Sequence, residues 1–400
     1  GFPYTTRQNW TLTFNLINTM YFQEPNLIFF FLYNLMLLSL TIIGQQINKQ
    51  KKYYWAYMCI VILIFSLNEG LRWGRGTDFN NYYLAYQEIS KYKFNTDFEP
   101  LFTCLVLLCN YLEFNYQTFV FLLSFILILS ASIFLQNHKN CLMYALPLLT
   151  FYVFIAENLM RWFLAFSFIL ISLYYLEKKK YLLYIAISIC AICIHYASII
   201  PIVVIGIVFH IKKIILPSSL VALGIFCFLF IIFKPSYMSF IADLIQQVQV
   251  ANRFSGYQQN AEMWMTGDNL DMGKLSFSHA LNCIYTITVG YKIFHQDNKK
   301  NNIYIYNLAL IGSVLAPALN QIELFMRINI LFYLFQFYVI AYCFYEILNK
   351  KRKTTWYYKI FTWIILFNFI RMTTISMPFK ELPNNLLYIW DSEGKNMINY

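Results

Sequence analysis

Arg72, Arg75, Asp78 and Glu99 are the residues most able to do chemistry together. They share one polar stretch, opening Arg72-Trp73-Gly74-Arg75-Gly76-Thr77-Asp78-Phe79, with long apolar runs on both sides. Arginine presents a planar fork that grips phosphate or carboxylate through two parallel hydrogen bonds. A carboxylate beside it either accepts a proton from a reacting hydroxyl or pairs with the cation and folds the loop. The residue types leave that choice open for Asp78 and Glu99. Gly74 and Gly76 permit close approach of a ligand to the backbone.

Residues elsewhere fit the same chemistry. Arg161 and Arg327 fall near the ends of long apolar runs, where a charge is costly unless a partner or ligand meets it. His195 lies in Ile194-His195-Tyr196-Ala197-Ser198, inside a run that is otherwise apolar. It competes with Asp78 as a general base. A lone buried histidine is often only a satisfied structural group, and the nearby arginines are what favour catalysis. With no matching His or acid cluster at ligand spacing, no metal site is expected. Arg253 joins the candidate anion ligands, although it, Arg7 and Arg371 also read as residues snorkelling to headgroups. Trp73, Tyr82 and Tyr83 offer rings that stack on sugars.

The elements that position these residues are membrane helices. Hydrophobic residues make up 59% of 400 positions and charged residues 12%, where soluble domains carry roughly 25% charge. Apolar runs of about 18 residues, enough to cross a hydrocarbon core of ~30 Å, recur along the chain. The expected fold is all-α, a polytopic integral membrane protein of about 12 transmembrane helices in a single domain over residues 1–400. The nine cysteines fall in or beside apolar runs and read as small hydrophobes.

Lysines cluster at 49–52, 178–180, 212–213, 299–300 and 350–353. The positive-inside rule places all five in the cytoplasm, and the net charge of +11 then reflects membrane orientation and not nucleic-acid binding. Two consequences follow. The 15 residues from Glu99 to Glu113 are short for a crossing, so they form a re-entrant or interfacial helix after the first outer loop. The run 181–209 must also break at Ser198–Pro201 into two short helices. The loops 72–99 and 234–274 then line or cap an active site at the outer face.

Arg72 with Gly76-Thr77-Asp78-Phe79, Tyr82 and Tyr83, then Glu99-Pro100-Leu101-Phe102, resembles the first outer-loop signature of EpsG-type, Wzy-like polysaccharide polymerases. Arg161 opening a helix that ends in Glu177-Lys-Lys-Lys180 is similar to the family's next landmark, with Trp162 where Gln is common. His195-Tyr196-Ala197-Ser198 and Arg327 resemble its later ones, and the likeness covers residues 27–350 in order. The resemblance implies a metal-independent enzyme without a cofactor in the bacterial cytoplasmic membrane, with its active site on the periplasmic or extracellular face. Its substrate would be a polyprenyl-pyrophosphate-linked oligosaccharide, and its partners membrane lipids and a chain-length regulator protein. Arg161 and Arg327 would hold the pyrophosphate, with Arg72 or Arg75 completing the clamp. Competing readings are another lipid-linked glycosyltransferase, an O-antigen-type ligase, or a flippase or exporter. A flippase would need polar groups through the depth of the bundle.

Overall fold

The computed structural model describes residues 27–73, 79–92, 98–150, 159–233, 275–296, 302–321, 323–349 and 355–372. These residues are helical, with no β-strand among them. In chain order the helices are α1 (Leu27–Lys49), α2 (Tyr54–Gly70), α3 (Phe79–Tyr92), α4 (Pro100–Tyr111), α5 (Tyr116–Leu135), α6 (Leu142–Leu149), α7 (Met160–Glu177) and α8 (Tyr181–Ile194). They continue as α9 (Ile199–His210), α10 (Ser219–Ile232), α11 (Phe277–Tyr285), α12 (Tyr291–Gln296), α13 (Ile303–Leu319), α14 (Glu323–Phe344) and α15 (Trp356–Arg371).

Neighbouring helices form a closed ring. Helix α1 packs on α2, α2 on α5, α5 on α7, and α7 on α8. From α8 the chain turns into α9, which packs on α13, then α13 packs on α14, α14 on α6, and α6 back on α1. The α1–α6 contact depends on Gly44. A methyl group there would lie 2.5 Å from the Leu142 carbonyl oxygen and 2.7 Å from the Met143 nitrogen. Backbone cannot yield as a side-chain tip can, so Gly44→Ala should cost about 1–3 kcal/mol or more. A lowered thermal midpoint of the detergent-solubilised protein checks this, and an unchanged midpoint would contradict the packing.

Among the described residues, four helices are long and apolar enough to cross a membrane: Phe30–Lys49, Tyr116–Leu135, Met160–Glu177 and Phe325–Asn349. These four fall within the expected all-α membrane fold, and they account for only part of the expected set of about twelve transmembrane helices. Most of the remaining expected spans are helices of 10–17 residues. A 3-10 turn at Tyr196–Ser198 separates α8 from α9, while α11 and α12 form one continuous helix through a π-bulge at Thr286–Gly290.

The two ends of the bundle differ chemically. At one end Lys51 Nζ donates to Asn140 Oδ1 at 2.5 Å and Asn137 donates to Glu177, the residue before Lys178. Asn307 donates to the Lys213 carbonyl there at 2.9 Å. The described lysine clusters thus gather at a single end. The turn between α8 and α9 falls at His195, slightly before the predicted Ser198–Pro201, and α9 folds back so that the Tyr184 hydroxyl reaches the Ile202 carbonyl at 3.2 Å. Helix α4 has 12 residues, about 18 Å at 1.5 Å each, and starts just after Glu99, which lies beside Arg161 in the first turn of α7. Beyond it, Glu113 at φ 58° reverses the chain, and the Phe114 carbonyl accepts from Tyr86 at 2.6 Å. Both ends of α4 stay at the end of the bundle opposite the lysines.

Candidate active site

Glu99 is the centre of the site. It occupies the N-cap of α4, with Pro100 in the first turn, a position proline's fixed φ suits. An N-cap carboxylate commonly accepts from its own helix's first amides, but Glu99 makes no such bond. Instead Oε2 accepts from Arg161 Nη1 at 2.8 Å, and Oε1 lies 2.9 Å from His195 Nδ1. The three residues come from separate elements: the start of α4, the first turn of α7, and the turn between α8 and α9.

Each needs the others electrostatically. A cation in the first turn of a helix opposes the helix dipole, so Arg161 requires a counter-ion. Glu99 is 7% exposed, and a buried carboxylate without partners would take up a proton. Burial raises its pKa, but the His195 hydrogen bond and the charges of Arg161 and His195 outweigh burial and hold it down at about 2. Glu99 is therefore an ionised orienting group across the physiological range. With Nδ1–H of His195 directed at Glu99, the other ring nitrogen, Nε2, is the one left to handle protons.

Aromatic rings frame the pair. The Arg161 guanidinium lies 4.7 Å from the centre of the Phe98 ring, and Trp162 meets the His195 ring edge-on at 5.1 Å. Trp162 thus supports His195 by packing, where the resembled motif would place a hydrogen-bonding glutamine. Met160 and Ile194, the chain neighbours of Arg161 and His195, belong to a small apolar cluster with Phe102, Tyr116 and Phe119 that backs the site.

Arg72 is one step away. It is buried, its Nη1 lies 3.8 Å from Glu69 Oε2, and its Nε has no partner. It lines a cavity of about 20 Å³ together with Met160, the residue before Arg161. Gln117 fixes the chain there, donating to the carbonyls of Gly70 and Arg72. Sequence reading missed Glu69 and Gln117. A buried acid one helical turn before Arg72, in an otherwise apolar helix, was the available signal.

The other candidates distribute as follows. Tyr82 lies close enough to Arg161 to act on its charge and sets its ring against Phe102. Trp73 packs edge-on against Phe79 and Tyr83, and Tyr83 against Tyr116. Arg327 sits half-buried near the start of α14, at the same end of the bundle, and α14 packs mainly on α13 and α6. Arg75, Asp78 and Arg253 lie outside the described residues.

An acid that clamps both an arginine and a histidine at the lysine-poor end of a helical bundle is joined by a match along most of the chain. The EpsG family model matches residues 55–383. The chain belongs to the EpsG family. No curated protein and no solved structure matches it. The family match contains all of Arg72, Glu99, Arg161, His195 and Arg327, so the site lies within the part of the chain that defines membership.

Proposed function

We propose that this EpsG-family protein polymerises polyprenyl-pyrophosphate-linked oligosaccharide repeat units at the outer face of the bacterial cytoplasmic membrane. The observation that carries the reading is the Glu99–Arg161–His195 arrangement. It joins a cationic fork to an oriented imidazole, the two functions that glycosyl transfer from a lipid pyrophosphate needs. His195 Nε2 takes the proton of a sugar hydroxyl on the acceptor unit, whose oxygen attacks the anomeric carbon of the donor chain. The bond from that carbon to the pyrophosphate oxygen breaks, and the leaving group departs with the electron pair. Arg161 and Arg72 bind the charge that develops there. Arg75, Arg253 and Arg327 are further candidates for that clamp, and Asp78 is the alternative base.

In this reading the shorter apolar helices complete a set of about twelve crossings, and the lysine end faces the cytoplasm. Ion pairs among the described residues lie toward the two ends of the bundle, which favours an enzyme over a flippase that would need polar groups through its depth. The test is product size. Arg161→Ala and His195→Ala should each abolish the ladder of long polymer while protein level and single repeat units persist. A normal length distribution in both variants would overturn the assignment, and transfer of one sugar or of a finished chain would move it to the transferase or ligase class.

A further inference from the structure

Two acid–arginine pairs lie at the same end of the bundle, and they differ in kind. Glu99 and Arg161 meet at hydrogen-bond distance, 2.8 Å. Glu69 and Arg72 do not. Glu69 Oε2 stands 3.8 Å from Arg72 Nη1, beyond the reach of a hydrogen bond, although both side chains are buried. The open pair leaves bonding capacity unused on both sides. Arg72 Nε and Glu69 Oε2 are each buried without a hydrogen-bond partner, while Glu69 Oε1 accepts from Asn68 Nδ2 at 2.7 Å.

Position makes Glu69 a poor element of the fold. It lies in the last turn of α2, where the helix dipole disfavours an acid and favours a cation. A buried ion pair adds little stability without good geometry, and this pair lacks it. Arg72, two residues beyond the end of α2, is favoured by the same dipole and does not depend on Glu69 alone. Its backbone is pinned, since Gln117 donates to the Gly70 and Arg72 carbonyls, so the side chain is the part free to move. The adjoining cavity of about 20 Å³ is lined also by Met160 and Leu164 from the start of α7, the helix that carries Arg161. That volume admits a water molecule and not a pyrophosphate. Arg72 can therefore grip an anion only when its guanidinium leaves Glu69 and swings toward Arg161.

We propose that Glu69 is a positioning residue that competes with the pyrophosphate leaving group for the Arg72 guanidinium. The carboxylate holds the fork inside the bundle. The anion draws it off, because charged oxygens at hydrogen-bond distance attract a guanidinium more strongly than a carboxylate 3.8 Å away. The identity of the anion rests on the polymerase reading.

The test is pyrophosphate affinity, because a competitor and a structural prop predict opposite signs. The full chain is reconstituted in phosphatidylcholine nanodiscs and titrated with inorganic pyrophosphate by calorimetry. Glu69→Gln removes the competing charge with little change of shape. It should tighten binding by about tenfold, a modest share of the attraction between unit charges ~4 Å apart at a protein surface. Glu69→Asp draws the carboxylate back and should give a smaller gain, which keeps the test decisive if the glutamine variant does not fold. The gain should vanish when Arg72→Gln is added. Unchanged or weaker binding in the folded Glu69 variants would overturn the proposal, and so would a gain that survives the loss of Arg72. Polymer assays separate this outcome from the polymerase reading. A gain through Arg72 in a protein that makes no polymer keeps Glu69 as the competitor and removes the polymerase. Normal polymer without any gain does the reverse.

Discussion

Glu99→Gln should lower polymer formation by roughly 10²–10⁴-fold, the range associated with losing a positioned acid or base. The amide is nearly isosteric, yet it replaces an acceptor-only group with one that also donates. Whichever way it turns, an NH₂ faces either Arg161 or His195. Facing His195, it selects the wrong tautomer, placing the hydrogen on Nε2 and abolishing the base. Facing Arg161, it leaves a partly buried cation without its counter-ion, which costs about 3–5 kcal/mol. Initial rates with membranes containing Glu99→Gln check the first outcome, and thermal unfolding checks the second. A wild-type rate would remove Glu99 from the mechanism. The pH dependence has a definite sign. Since the Glu99 pKa is held at about 2, below its ordinary 4.5, the pair's stabilisation is complete above pH ~4.5 and is lost as pH falls toward 2. It amounts to roughly 3 kcal/mol. Unfolding midpoints measured down that acid range should converge between wild type and Glu99→Gln.

Glu177→Ala should damage the fold and spare the chemistry. At the lysine end, Glu177 lies 2.8 Å from His138 Nε2 and accepts from Asn137 Nδ2 at 2.5 Å and the Tyr304 hydroxyl at 2.5 Å. Tyr338 contacts the other His138 nitrogen at 3.2 Å. Alanine leaves three donors without an acceptor, at about 1–3 kcal/mol for each buried group. The expected loss is several kcal/mol, visible as a lower midpoint and reduced protein level. Polymer formed per folded molecule should stay normal. A variant of normal stability would show that those donors find other partners, and a stable variant lacking activity would give this end a catalytic part.

The contrast between these two glutamates separates what sequence shows from what tertiary structure decides. Both follow or precede a turn beside an apolar helix, and each is within reach of a histidine only after folding. Glu177 adjoins Lys178-Lys-Lys180, so sequence placed it at the cytoplasmic end, where no reaction was expected. Glu99 sat among arginines in the polar stretch, so sequence could select it as a candidate. It could not choose among Arg72, Arg75, Arg161 and His195 as its partners, because those residues are 24 to 96 positions away and no periodicity encodes such a contact. Arg72 pairs instead with Glu69, its neighbour one turn earlier.

Local chemistry was legible. Apolar runs gave helices, lysines gave a common end, and the 15 residues from Glu99 to Glu113 gave a short helix, α4. Helix length was less legible: the break in the 181–209 run was expected at Ser198–Pro201 but falls earlier, at His195 before the 3-10 turn Tyr196–Ser198.

By itself the sequence determined that this is a helical membrane protein with its lysines at one end and Arg72, Glu99, Arg161 and His195 as candidates for the other, while its motifs added the resemblance to the EpsG type. Apolar burial and charge cost act on composition and spacing alone, which is why that much could be read. Only the tertiary structure decided that Glu99 holds Arg161 and His195 together and that Trp162 packs where a hydrogen bond was expected. Those outcomes depend on which helix faces which, and long-range packing sets that geometry.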